Sequence, residues 1–298
     1  MREGSPLTGG REAVDLSLIL PCYNSANFLA ESVAQVRRAL KRGGLTYELV
    51  FVDDASRDGT VDVIERLIAG EEDCRFVHHQ KNTGRGRAVM DGMRVARGRA
   101  IGFTDVDLAT PAHYIPILAH AVLDGADVAT ALRVYKLSAP ILHRWFLSRG
   151  YNHLVRWLLG QSVRDSETGC KFFRRESLLP LLDETEASGW FWDTEIMVRA
   201  GCRGYRMVEI PTAFVRRPEL GSTVSLVRDT FEYLVRLLRF RPVAARLHAE
   251  QAARERAATS GPAVATRSDA LLGESAGPVP LGKQSERAPR AGPAATGG

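Results

Sequence analysis

Cysteine is scarce in this chain, four in 298 residues, and no two stand in a CxxC pair. That spacing argues against a disulfide framework and a structural zinc site, so Cys22, Cys74, Cys170 and Cys202 are read as reduced cytosolic thiols. Long apolar runs are missing too: nothing approaches the ~18 uninterrupted residues of a membrane-spanning helix. The opening MREGSPLTGGREAVD has no apolar core and does not read as a signal peptide. Base exceeds acid only mildly, for a formal net charge of +5. No recognition motif or aromatic–basic repeat accompanies that excess, so no nucleic-acid partner is expected. Anionic lipid and a phosphorylated substrate remain open, as does a merely solvated basic surface.

What is present is the composition of an ordinary globular protein, 45% hydrophobic and 25% charged. Residues 1–15 are rich in Gly, Ser and charge and read as a disordered lead-in. From 248 to 298 large apolar residues almost vanish, and such a tail is expected to be disordered because it buries too little to offset its ordering entropy. The body, 16–247, alternates short apolar runs with amphipathic stretches. LSLILPC (16–22), YELVFVD (47–53), FVHH and AIGFTD (100–105) read as strands. Helical patterns fall over 27–41, over DGTVDVIERLIAG with Asp58 at its start and Gly70 as its stop, and over GRAVMDGMRVARG. This alternation predicts right-handed βαβ units and a sheet covered on both faces, with ligands at the carboxyl ends of the strands.

Polar residues that packing does not require fall at those ends. They are Pro21-Cys22-Tyr23-Asn24, then Asp53-Asp54-Ala55-Ser56-Arg57-Asp58-Gly59, then Asp105-Val106-Asp107. Two carboxylates at i, i+2 suit a hard divalent cation, Mg²⁺ or Mn²⁺, that bridges to a diphosphate; a turn with an Asx cap is the competing explanation. Asp54-x-Ser56-x-Asp58-Gly59 followed by Glu65 imitates a calcium loop, but a strand precedes it and Glu65 falls inside the next helix. Gly84-Arg85-Gly86-Arg87 suits either a phosphate contact or a tight turn into a helix.

The set ILPCYN, VFVDDASRDGT, NTGRGRAVMDGM, FTDVDLATP, DSETGCKFF and WDTEI resembles the family 2 glycosyltransferases. Its order and spacing are most similar to the polyprenyl-phosphate sugar synthases, which include dolichyl-phosphate mannose and glucose synthases. The resemblance implies an α/β GT-A nucleotide-diphospho-sugar transferase fold, with a mostly parallel central sheet and helices on both faces. It places Pro21, Tyr23, Val52 and Asp54 around the nucleotide. Asp105 and Asp107, flanking Val106, would hold the metal and the donor diphosphate. Arg133, Arg144 and Arg217 would face the phosphates of donor and acceptor. Ser25 and Ala109 stand where mannose synthases usually carry glutamate and glutamine, and DVDLATP partly matches the glucose-synthase form.

A hexose transferred from a sugar nucleotide to polyprenyl phosphate, with inversion, is the activity expected. GDP-mannose is the first donor, since compact mannose synthases lack membrane spans, and UDP-glucose the alternative. A phosphate acceptor needs no base; a glycan hydroxyl requires one, and Asp193 in Trp192-Asp193-Thr194-Glu195 is the candidate unless it is a helix N-cap. A sugar-nucleotide-binding protein without turnover is the non-enzyme alternative. The segments 138–160 and 225–242 mix large apolar residues with arginine. Each suits either a helix packed on the sheet or an interfacial helix on anionic lipid at the inner face of the cell membrane. His78, His79, His143 and His153 have no metal spacing and read as structural.

Overall fold

Strand β1 (Leu16–Cys22) is apolar at nearly every position because both of its faces are covered. Leu16, Leu18 and Leu20 point into one core and Ile19 into the other, as the two-residue period of a strand demands. β2 (Tyr47–Asp53) divides in the same way, with Leu49 and Phe51 on the first face and Val50 and Val52 on the second. The computed structural model describes residues 14–134, 155–160, 163–215 and 226–259.

Around β1 and β2 the chain lays down α1 (Leu29–Arg42), α2 (Thr60–Ile68), β3 (Cys74–His78), α3 (Arg85–Val95), β4 (Ala100–Thr104), α4 (Tyr114–Leu123) and β5 (Val128–Val134). Then come β6 (Cys170–Arg174), α5 (Arg175–Glu184), α6 (Trp192–Cys202), β7 (Met207–Ala213) and α7 (Leu226–Thr259). The sheet runs β3-β2-β1-β4-β6-β5-β7. Its first four strands are parallel, β6 lies antiparallel between β4 and β5, and β7 is parallel to β5. Helices α1, α2 and α4 cover one face; α3, α5, α6 and α7 cover the other. The expected α/β architecture with helices on both faces is therefore present.

The connections from β1 to β3 step outward in one direction, and β4 then returns to the opposite side of β1. A crevice at the strand ends is the consequence of that reversal. α3 lies close against the sheet because Gly92 leaves room: a Cβ there would stand 2.6 Å from Ile19 Cγ2 and 2.8 Å from Val52 Cγ2.

The boundary expected at 248 is corrected by α7, which continues to Thr259. AEQAARERAAT is poor in large apolar residues yet rich in strong helix formers, so low hydrophobicity there does not mean loss of helix. His248 is also tied down, its Nε2 lying 2.8 Å from the Leu159 carbonyl. The described residues up to Arg256 belong to one compact unit.

Candidate active site

The ends of β1, β2 and β4 open into a cleft of ≈ 500 Å³ lined by Pro21, Tyr23, Asp54, Asp105, Val106 and Asp107. Three non-glycine residues just past those strands have positive φ: Asn24 at 50°, Ala55 at 60° and Leu108 at 51°. Such backbone costs of order 1–3 kcal/mol each and persists only where the surroundings enforce it. Here the loops are stitched together. Asn24 N donates to Ser56 Oγ at 2.9 Å, and Asn24 Oδ1 accepts from Arg57 N at 2.8 Å. Ser25 N donates to Thr60 Oγ1 at 2.7 Å.

Asp54 accepts at Oδ1 from Thr83 N and Thr83 Oγ1, both at 2.8 Å, and at Oδ2 from Gly84 N at 2.9 Å. His79 Nδ1 lies 2.8 Å from the same Oδ1. Burial alone would raise this carboxyl, but the hydrogen bonds from His79, Thr83 and Gly84 outweigh it and hold the group below the usual carboxylate range. Being depressed, it contributes stability above its unfolded pKa, and that contribution is lost as pH falls through the folded value. The 79–84 turn should therefore stay closed down to about pH 4 and loosen only below it. A carboxyl carbon titration of Asp54 by NMR checks this; a midpoint above the ordinary value would contradict it. In the calcium-like segment, Asp58 turns its oxygens to Thr60 and to Ala26 N, and Glu65 lies in α2.

Asp105 and Asp107 stand at the end of β4, as expected. Asp107 Oδ1 accepts from Ala109 N at 3.0 Å. Asp105 Oδ1 accepts from Arg85 Nε at 2.7 Å, and Arg85 Nη1 reaches Asp193 Oδ2 at 2.5 Å. The other oxygen of Asp193 accepts from Lys171 Nζ, also at 2.5 Å, and Lys171 is fully buried. Burial lowers the Lys171 ammonium, with Asp193 pulling the other way. Asp105 is seated against backbone: a Cβ on Gly169 would fall 1.8 Å from its Oδ2. Gly169→Ala should push Asp105 off its position and lower activity by about 10²-fold, the scale set by an ångström of misplacement in an active site. Measured transfer checks it, and an unimpaired variant would mean that Asp105 need not sit where it does.

Three expectations from sequence need correction. The Val52 side chain is in the core beside Gly92, because its place on β2 points it at α3 and away from the cleft. Arg133 is held by Asp165, with Nε and Nη2 bidentate at 2.6 and 2.7 Å, and is not among the cleft-lining side chains. Asp193 is neither an open base nor an N-cap; Phe191 is the N-cap, and the Asp193 carboxylate is buried between two cations. Of the two amphipathic segments, 225–242 falls in α7, which packs on the body through Tyr233, Leu237, Phe240 and Ala244, one of the two alternatives its sequence allowed, and residues 138–154 lie outside the described residues. Arg144 and Arg217 lie outside the described residues. Lys171, Tyr233, Arg236 and Trp190 were not anticipated at or near the cleft. Of these, Lys171 lies within the DSETGCKFF motif, the one signal from which it could be found.

The glycosyl transferase family 2 profile matches residues 17–181, more than half of the chain. The protein belongs to glycosyl transferase family 2. This family 2 chain is 33% identical over 232 residues to Glycosyltransferase AglD of Haloferax volcanii, covering 76% of its own length but 37% of that relative. It is 27% identical over 218 residues to the dolichyl-phosphate beta-glucosyltransferase ALG5C of Trichomonas vaginalis, spanning 62% of that protein. With the dolichyl-phosphate beta-glucosyltransferase of Saccharomyces cerevisiae it shares 26% identity over 243 residues, 74% of this chain and 72% of the other. Among solved structures, glucosyl-3-phosphoglycerate synthase from Mycobacterium tuberculosis superposes with a TM-score of 0.55 at 20% identity, over 75% of this chain and 80% of that one. That likeness is one of fold.

Proposed function

We propose that this protein transfers a hexose from a nucleoside-diphosphate sugar to the phosphate of a polyprenyl phosphate. The observation that carries the choice of acceptor is the engagement of Asp193. A hydroxyl acceptor calls for a base, and both oxygens of the candidate are already held by Arg85 and Lys171. A phosphate monoester has its second pKa near 6, so it arrives as an oxyanion at about neutral pH and needs no proton removed. One of its oxygens bonds to the anomeric carbon as the bond to the donor diphosphate breaks, the electron pair leaving with the diphosphate and the configuration inverting. The names of the two dolichyl-phosphate beta-glucosyltransferases support a lipid-phosphate acceptor.

Those names also favour glucose over the mannose expected from sequence, and the Mycobacterium tuberculosis enzyme was crystallised with UDP and Mn²⁺. We therefore place UDP-glucose first and GDP-mannose second. Asp105 and Asp107 fit a divalent cation: they are hard oxygen donors, side by side on the cleft, with Asp105 set closely against Gly169. Mg²⁺ or Mn²⁺ held there would supply charge stabilisation to the departing diphosphate. The chain's own part is to fix the loops after β1 and β2 around the nucleotide, to present Tyr23 at the cleft, and to offer Arg85 to phosphate oxygens. Labelled UDP-glucose and GDP-mannose, each incubated with polyprenyl phosphate and Mn²⁺, test the donor. Lipid-extractable label from UDP-glucose is expected; label from GDP-mannose alone would restore mannose.

Among the described residues no helix is long and apolar enough to cross a membrane. α7 turns Leu234 and Leu238, 42% and 54% exposed, outward beside the exposed Arg239 and Arg241. Together with the exposed Trp157 they support peripheral contact with anionic lipid at the inner face of the cell membrane. The folded protein should float with anionic liposomes at low salt and less so at high salt. Absence of flotation at low salt would remove the interfacial role.

A further inference from the structure

We propose that Arg85 is a resident counter-ion that keeps a lone divalent cation out of the cleft and yields only when the cation arrives with a nucleoside diphosphate. The step rests on the proposed role of Asp105 and Asp107 as metal ligands. Arg85, Asp105, Asp193 and Lys171 form a continuous chain of ion pairs, with contacts of 2.7 Å, 2.5 Å and 2.5 Å. Two carboxylates face two cations, so the chain is electrically closed without any added ion.

Arg85 is also the first residue of α3, at the helix end that carries partial positive charge. A cation is unfavourable there, so the helix does not account for it; its acidic partners do. The guanidinium carbon lies 5.1 Å from the Phe103 ring centre and 5.4 Å from that of Trp190, so aromatic rings confine it to this corner of the cleft.

A divalent cation that comes alone must take Asp105 from Arg85, which leaves Arg85 and Lys171 to share the single carboxylate of Asp193 and sets an under-neutralised guanidinium next to the metal. Asp107, which is outside the ion-pair chain, cannot balance both. A nucleoside diphosphate changes the accounting of charge. Its oxygens suit the planar fork of arginine, which can then release Asp105 to the metal. Metal and nucleotide therefore bind with positive coupling, and each tightens the other by the same factor.

Mn²⁺ binding to the full chain, read from the electron paramagnetic resonance of the free ion, tests this without turnover. In the parent protein, saturating UDP or GDP should tighten Mn²⁺ by at least about tenfold, within the usual range of coupling between two sites. Arg85→Gln should bind Mn²⁺ alone about tenfold more tightly than the parent and lose most of the nucleotide-dependent gain. Arg85→Lys keeps a cation and should bind Mn²⁺ alone as weakly as the parent, with a smaller gain from the nucleotide because it lacks the planar fork. Reciprocity gives a check that needs no variant: Mn²⁺ must tighten UDP by the factor by which UDP tightens Mn²⁺. Parent protein that binds Mn²⁺ equally well with and without nucleotide would overturn the proposal. So would folded Arg85→Gln that binds Mn²⁺ alone no better than the parent. Asp107→Ala separates the underlying metal assignment: if it binds Mn²⁺ normally, the ligand reading fails, whatever Arg85→Gln does.

Discussion

Asp107→Ala is expected to lower hexose transfer by at least about 10²-fold while the fold survives. Loss of a divalent cation from a departing diphosphate removes several kcal/mol of charge stabilisation, and each ~1.4 kcal/mol is tenfold in rate. The structural cost is smaller. Asp107 is only half-buried, and among the described residues its side chain makes one hydrogen bond, from Ala109 N, worth about 1 kcal/mol. Initial rates at saturating donor, beside a thermal melt, separate the two effects. Full activity of Asp107→Ala in the presence of a chelator would end the idea of a metal bridge.

The second large effect is one of stability, at Asp193. Asp193→Asn leaves Lys171 and Arg85 facing a neutral amide in a site where Lys171 has no exposure. Breaking a buried ion pair from one side costs about 3–5 kcal/mol. Lys171→Met in the same chain removes the stranded ammonium, so the double variant should be more stable than Asp193→Asn alone, a coupling that a double-mutant cycle measures. Activity per folded molecule of the double variant then decides the role. If Asp193 only holds Arg85 and Lys171, turnover should stay within about tenfold of the parent, against the 10²–10⁴-fold that loss of a general base costs. A stable double variant that binds donor and is dead would return Asp193 to the base role and the acceptor to a hydroxyl.

The first half of the fold is legible in the sequence for a local reason. β1, β2 and β4 are short apolar runs that end at Cys22, Asp53 and Thr104 with polar residues following, and the helices between them carry their own periodicity and stop signals. Past residue 105 that local contrast fails. β6 owes its antiparallel place to β4 and β5, strands distant in sequence, and nothing within CKFFR encodes the reversal. The site divides along the same line. Motifs at strand ends announce Pro21, Tyr23, Asp54, Asp105 and Asp107, because a polar residue ending a buried strand has little structural purpose. The pairing of Arg85 with Asp193 spans 108 positions, and only the assembled sheet brings α3 and α6 together. Val52 shows the converse: its motif is right, but the two-residue period of β2 turns its side chain to the core.

Polyprenyl phosphate and the same polyprenol without its phosphate, offered in parallel with labelled UDP-glucose and Mn²⁺, put the central claim to its most direct test. The lipid phosphate should become labelled, and the label should be released by mild acid as free glucose, since the new bond joins the anomeric carbon to phosphate. The polyprenol should stay unlabelled. Equal labelling of the alcohol, or labelling only of an added oligosaccharide, would contradict a phosphate acceptor.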